Sequence, residues 1–157
     1  MRALAIAGIA CTLLIAGQAC AAGSSSDHPV SCSGASPKAV VRAYYSAINQ
    51  HRAAKARACL TPYFRTQSER VVDPDWVNIA WVHKLQLKSR SVPSSYLPGN
   101  VPHKDMKPHA AAEVTAQYMV HYYRVIESPN GVTIRFIYAV KQKKHAPWRI
   151  ASIGSGP

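Results

Sequence analysis

Three segments in the second half of the chain alternate apolar and polar residues, and this period of two restricts the fold most strongly. The segments begin at Ile79, Glu113 and Val132. Such alternation is typical of strands that bury one face. The turn Pro129-Asn130-Gly131 separates the last two segments, as in a β-hairpin, and a fourth strand is predicted from Trp148 onward. The second half of the chain therefore predicts a mostly antiparallel sheet.

The residues before these strands predict helices. Ser36-Pro37 supplies an N-cap and a proline at the first helical position. A second short helix over 51–60 ends at Thr61-Pro62. Helices followed by strands predict an α+β domain, in which N-terminal helices pack on one face of a curved, mostly antiparallel sheet. The apolar residues of the first helix share one side at helical spacing: Val40, Val41, Tyr44, Tyr45 and Ile48.

The N-terminus has the form of a secretory signal over residues 1–19. The apolar run from Ala3 to Gly17 would rise only about 22 Å as a helix, short of the roughly 30 Å of membrane hydrocarbon. A signal peptide is therefore favoured over a membrane span. The sequence AGQAC resembles a bacterial lipobox, in which Cys20 is acylated and anchors the protein to the outside of the cell membrane. Ala19-Cys20-Ala21 also fits ordinary signal peptidase, which would give a secreted protein.

The four cysteines divide between the leader and the mature chain. Cys11 leaves with the leader, and Cys20 either leaves or is acylated. Two thiols, Cys32 and Cys59, remain in an oxidising compartment, which predicts a disulfide between them. Residues 20–35 are rich in serine and glycine and are interpreted as a flexible tether, and residues 36–157 form one domain.

The charge balance restricts the partners. The chain has 19 Lys and Arg against 7 Asp and Glu, a formal net charge of +12. Outside the cytoplasm no nucleic acid is expected, and the polyanions that remain are anionic lipid and acidic wall polymer. A solvated basic surface without a partner is the alternative. The 7 histidines show no spacing typical of a metal site, so neither a metal nor another cofactor is predicted.

A family resemblance appears in the helical segment. The stretch SPKAVVRAYYSAINQHRAAKARACLTPYF is similar to the opening of the nuclear transport factor 2-like superfamily, the cystatin-like cone that includes ketosteroid isomerase and the polyketide cyclases. PWRIASIG resembles the family's last strand. The resemblance implies a cone fold and a homodimer paired through the open sheet face. The matching positions are Val41, Tyr44, Ala47, Ile48, Asn49, Leu60 and Pro62.

The catalytic branches of that superfamily move a proton with an acidic residue inside the cone, which requires a desolvated carboxyl group. Asp73 and Asp75 lie near the junction between helices and sheet, where a base is geometrically feasible. The sequence VVDPDW is more simply a turn. An isomerase- or cyclase-type enzyme is therefore the alternative hypothesis, and no catalytic residue is predicted.

The favoured hypothesis is a noncatalytic, membrane-tethered extracytoplasmic domain that holds a ligand or contacts other envelope proteins. Strand alternation places polar-tipped aromatic residues on the same side as the apolar set. Each buried tyrosine or histidine needs a hydrogen-bond partner, which a ligand, ordered water or the backbone of a packed core can supply. The predicted pocket wall consists of Trp81, His83, Tyr118, Tyr122 and Tyr138.

Overall fold

The computed structural model describes residues 32, 34–70, 74–99, 101, 107–125 and 129–155. The signal peptide, Cys20 and Asp73 lie outside these residues. Within them no helix is long and apolar enough to cross a membrane. The elements of the described chain are α1 (Pro37–Asn49), α2 (Ala53–Ala58), α3 (Pro62–Ser68), α4 (Asp75–Asn78), β1 (Ile79–Val92), a 3₁₀ turn (Ser94–Tyr96), β2 (Ala110–Tyr122), β3 (Gly131–Lys141) and β4 (Arg149–Gly154).

Helix α1 begins where the sequence predicts. The hydroxyl of Ser36 accepts a hydrogen bond from the backbone N–H of Ala39, and Pro37 occupies the first turn. Thr61 caps α3 in the same way through the N–H of Phe64. The predicted apolar side of α1 is confirmed, because all of its members are buried: Val40, Val41, Tyr44, Tyr45 and Ile48.

The four strands form one antiparallel sheet in the order β1-β2-β3-β4, and the predicted α+β class is confirmed. We call the face that packs against α1 the inner face, and the opposite one the outer face. Strand β2 gives its even-numbered residues to the inner face, where Val114, Ala116 and Tyr118 join the core of α1. Strand β3 contributes Ile137 and Ala139 to the same core.

The outer face is half covered. The segment that follows β1 places Leu97 and Val101 against Ala111, Val140 and Ala151, which form a second apolar cluster. The other half of the outer face, toward the start of β3, keeps large apolar side chains in solvent. Val132 is 69% exposed and Ile134 is 46% exposed.

The sequence predicts the wrong set of β3 residues for the inner face. The sequence favours the even-numbered residues from Val132 to Val140 for the inner face, but the register pairs Val114 with Ile137 and so turns the odd-numbered set inward. Tyr138 and Val140 are still sheltered, because the segment around Leu97 covers them from outside. Burial on both faces makes the alternation ambiguous, since a shift by one residue exchanges the faces.

A bulge in β1 changes the facing of that strand as well. The pairing with β2 shifts between His83 and Gln86, and Lys84 adopts a left-handed backbone with φ of 54°. A bulge adds one residue to a strand and reverses the alternation beyond it. Leu85 and Leu87 therefore pack against the inner core, whereas Trp81 and His83 point outward.

The predicted disulfide between Cys32 and Cys59 is confirmed, with Cα atoms 5.0 Å apart. Both cysteines are buried against the inner core, so Cys32 packs in the folded domain although it lies within the predicted tether of residues 20–35. Strand β4 is bonded to this cross-linked region. The N–H of Ile150 donates to the carbonyl of Cys59, and the N–H of Trp148 donates to the carbonyl of Gly34. A Cβ atom at Gly34 would lie 2.3 Å from the carbonyl oxygen of Trp148, so this close approach requires glycine.

Two asparagine side chains complete the sheet from the helical side. Asn49, at the end of α1, accepts from the N–H of Val82 at 2.7 Å and donates to its carbonyl at 2.8 Å. Asn78, at the end of α4, makes the same pair of bonds with the backbone of Arg124. Each amide satisfies one donor and one acceptor as a neighbouring strand would. Asn49 thereby fixes α1 to β1 next to the bulge.

Candidate functional site

The predicted pocket wall is divided between the two faces of the sheet. Tyr118 and Tyr122 are buried on the inner face. Trp81 is 36% exposed on the outer face, where its ring stacks on His121 at 5.1 Å and lies 4.5 Å from His83. The bulge in β1 accounts for this separation.

Tyr138 also belongs to the outer face, where it takes part in an ionic cluster. Its hydroxyl donates to Glu113 at 3.1 Å, and Arg90 makes two bonds of 3.0 Å to the same carboxylate. The Arg90 hydrogen bonds hold the pKa of Glu113 below its usual range, although burial opposes this shift. The Arg90 guanidinium lies 5.5 Å from the centre of the Tyr96 ring. This cluster fastens the segment after β1 to the sheet and is structural.

The inner face carries a different set of polar groups. The hydroxyl of Tyr45 donates to that of Tyr118 at 2.9 Å, and the two rings lie 4.7 Å apart. Tyr44 packs edge-on against Tyr45 at 5.2 Å. Burial, with the nearby Asp75 carboxyl as a further cause, raises the pKa of all three phenols. They therefore stay protonated and can donate hydrogen bonds within the cone.

Arg135 extends from β3 into this group. One terminal nitrogen donates to the hydroxyl of Tyr122 at 3.5 Å, which is a long hydrogen bond. The Nε atom is buried and has no hydrogen-bond partner among the described residues. Burial disfavours the charged guanidinium, but the bond to Tyr122 and the neighbouring phenol and carboxyl groups outweigh it and raise the pKa of Arg135. The inner face thus holds a permanent cation with an unused donor.

Asp75 supplies the acidic member. It is the first residue of α4 and leads directly into β1. Burial raises the pKa of its carboxyl, and the charge of Arg135 lowers it to a lesser extent. Even so, no ion pair joins Asp75 and Arg135 in the described structure. A carboxyl and a guanidinium that influence one another without touching leave their hydrogen-bonding groups available to a third group.

We call this set the inner polar cluster, and it consists of Tyr45, Asp75, Tyr118, Tyr122 and Arg135. It retains two members of the predicted wall and adds three other residues. Sequence alternation assigned Arg135 to the solvent face with the other strand charges, so it was missed. Its only sequence signal is its position as the one basic residue within the strand VTIRFIYAV. Asp75 was recognised at the correct junction but interpreted as part of a turn.

A cleft lies between α1 and β1. It has a volume of about 260 Å³ and includes Tyr45 in its lining. Tyr45 therefore lines the cleft and also belongs to the inner polar cluster, where its hydroxyl bonds to Tyr118. The remaining lining residues of the cleft are Arg42, Ser46, Asn49, Gln50, Val82 and Leu85.

The donor chemistry of the inner polar cluster suits a small anionic or polar group better than a metal ion. Phenol and guanidinium groups donate hydrogen bonds, whereas a metal requires several acceptors. In the part of the chain that the structure describes, no group of three or more His, Cys, Asp or Glu residues is arranged to hold a metal.

Among the comparisons with known proteins, the match to a family model is the one that gives a result. No curated protein and no solved structure gives a significant match. A family model described as a domain of unknown function, DUF4829, matches residues 38–154, from the second residue of α1 to the end of β4. The resemblance to the nuclear transport factor 2-like superfamily stays a prediction. The chain belongs to the DUF4829 family.

Proposed function

We propose that this protein is a noncatalytic ligand-holding domain of the bacterial cell envelope, and that its ligand binds at the inner polar cluster. The observation that carries the proposal is the buried Nε of Arg135, which has no hydrogen-bond partner in the described part of the chain. Leaving a buried donor unsatisfied costs about 1–3 kcal/mol, and more when the group is charged. A ligand that accepts from this donor would offset that cost, which is a direct reason for the site to be occupied in the working protein.

The chemistry of the neighbouring side chains defines the ligand. The guanidinium of Arg135 favours a carboxylate or a similar planar acceptor. The Tyr45–Tyr118 pair offers aromatic surface beside a hydroxyl, and this combination suits an amphipathic molecule. Burial raises the pKa of Asp75 and so widens the pH range in which its carboxyl group keeps a proton to donate. The proposed ligand is therefore a small amphipathic molecule with one acidic group.

The proposed location rests on the N-terminal sequence and on the disulfide. A lipid on Cys20 would anchor the domain to the outside of the cell membrane, with secretion as the alternative. The disulfide between Cys32 and Cys59 is compatible with an oxidising compartment. The membrane, through this anchor, is the first proposed partner, and anionic lipid or wall polymer is the second.

The test compares ligand retention in two arginine variants. The full gene is expressed in bacteria, and the protein is purified gently from the membrane fraction and examined by native mass spectrometry. Arg135→Met keeps most of the side-chain volume but removes the charge and the unpaired donor. Arg90→Met is the matched control, since it removes an arginine from the outer face of the same sheet. We expect a small molecule bound to the wild type and to the control, but lost from Arg135→Met. Equal retention by all three proteins would contradict the proposal.

The second candidate is an isomerase- or cyclase-type enzyme, which the environment of Asp75 favours. Its carboxyl group is desolvated and lies near a hydrogen-bonded pair of phenols, an arrangement suited to proton transfer. His83, a member of the predicted pocket wall, lies on the outer face. The discriminating measurement is turnover of a β,γ-unsaturated ketosteroid. Turnover that Asp75→Asn abolishes and Arg90→Met preserves would replace the ligand-holding proposal.

A further inference from the structure

The open half of the outer face is chemically asymmetric. Strand β3 presents Val132, Ile134 and Phe136 in one column, and β4 ends opposite Phe136 with Gly154, which has no side chain to cover it. Beyond Phe136, toward the start of β3, no strand of the described chain pairs on that side. The apolar column therefore lies open at a sheet edge.

Strand β1 presents the polar column of the same face. Beyond the bulge its outward residues include Gln86, Lys88 and Arg90, and before the bulge they include His83. The register aligns His83 with Met119 and Val132 in one row, and Gln86 with Gln117 and Ile134 in the next. Apolar side chains on β3 are thus separated from basic ones on β1 by a single strand.

Carboxylates are nearly absent from this surface. Among the described residues the outer-face acid is Glu113, and it is already bonded to Arg90 and Tyr138. Trp81 lies at the end of the β1 column nearest Val132, and its ring contacts the rings of both His83 and His121. Tryptophan beside basic and aliphatic groups is the composition of a membrane-interface surface.

We propose that this surface docks on an anionic lipid bilayer. The docking surface is defined as Trp81, His83, Lys88, Met119, His121, Val132, Ile134 and Phe136. The β3 column would enter the boundary between headgroups and acyl chains, and the β1 column would contact the headgroup phosphates. Charge complementarity selects this occupant, because a second copy of a chain with a net charge of +12 would bring like charges together. This inference rests on the proposed function for the location outside a bacterial membrane and for anionic lipid as a partner, and it adds the surface that binds the lipid.

The test measures binding of the full chain with Cys20→Ser, so that no acyl anchor contributes, to vesicles. One set contains phosphatidylglycerol and phosphatidylcholine, and the other contains phosphatidylcholine alone. Val132→Ser/Ile134→Ser removes two exposed side chains and spares the core. The matched control is Tyr63→Ser/Val77→Ser, since these residues are 39% and 54% exposed away from the docking surface. We expect the first pair to bind anionic vesicles at least about tenfold more weakly, and the control to bind as the parent does.

Three further readouts decide the outcome. Brominated acyl chains should quench tryptophan fluorescence on binding, and Trp81→Phe should remove most of this quenching. Arg135→Met should leave vesicle binding unchanged, so that failure of the ligand proposal and failure of the docking proposal are distinguishable. Equal binding to both vesicle types, or unchanged binding of Val132→Ser/Ile134→Ser, would overturn the inference. A dimer in light scattering that this variant converts to monomer would assign the face to a second copy and also overturn it.

Discussion

Removing the cross-link between Cys32 and Cys59 should lower the free energy of unfolding by about 3.5 kcal/mol. The cysteines are 27 positions apart, and the chain-entropy relation for a loop of this length gives about 12 cal/mol/K, hence roughly 3.5 kcal/mol at 25 °C. The folded state should change little on reduction. The bond from Arg149 to the carbonyl of Cys32 and the bonds from β4 to Gly34 and Cys59 do not depend on the sulfurs.

The assay is urea unfolding followed by circular dichroism, with and without reductant, in a Cys11→Ser/Cys20→Ser background. With a urea dependence of about 1–3 kcal/mol/M, the midpoint should fall by roughly 1.2–3.5 M. Cys32→Ala, Cys59→Ala and the double variant should each reproduce the reduced protein, because one cysteine alone cannot cross-link. A midpoint shift below about 0.5 M with an unchanged slope would refute the entropic argument, as would single variants whose effects add.

The remaining predictions concern charged and amide side chains. The pKa of Glu113 is depressed in the folded state, so its stabilisation is present above the usual range for glutamate and is lost as the pH falls through the lower value. Glu113→Gln should therefore make the melting temperature depend less on pH between about pH 3 and 6. A variant whose melting temperature changes with pH as much as that of the wild type would contradict this. Asp75 has a raised pKa, so stability should fall as the pH rises through it. Asp75→Asn should melt higher than the wild type at pH 7, and a lower melting temperature would contradict this. Asn49→Ala leaves the N–H and carbonyl of Val82 without this partner and should cost about 1–3 kcal/mol in urea unfolding. The exposed neighbour Gln50→Ala is the control and should stay within about 0.5 kcal/mol.

The parts of the fold that local signals determine were predictable. Ser36-Pro37 marks the start of α1, and the helical spacing of its apolar residues identifies the buried side. The disulfide follows from counting cysteines in an oxidising compartment. In each case the deciding interaction joins residues that are close in sequence, or depends on a chemical property of one residue type.

The candidate site was harder because long-range register decides it. Strand β3 has apolar residues in both alternating sets, and only its pairing with β2 and the cover from Leu97 select the inner set. In β1 the bulge depends on a left-handed backbone at Lys84, a residue type that gives no local signal for it. Arg135 and Trp81 consequently exchange faces relative to the sequence prediction. The alternation of apolar and polar residues does not identify the buried face where a strand is covered on both sides or contains an extra residue.

The bonds between β4 and the cross-linked region make the disulfide a support for the last strand of the sheet. Cys32 and Cys59 are 27 positions apart, and closing this short loop costs less entropy than joining either cysteine to Ile150. Once oxidised, this region presents the carbonyls of Gly34 and Cys59 as acceptors for β4. A chain that ends before Trp148 would leave β3 without its partner strand, and this edge would be competent to pair with another copy of the chain.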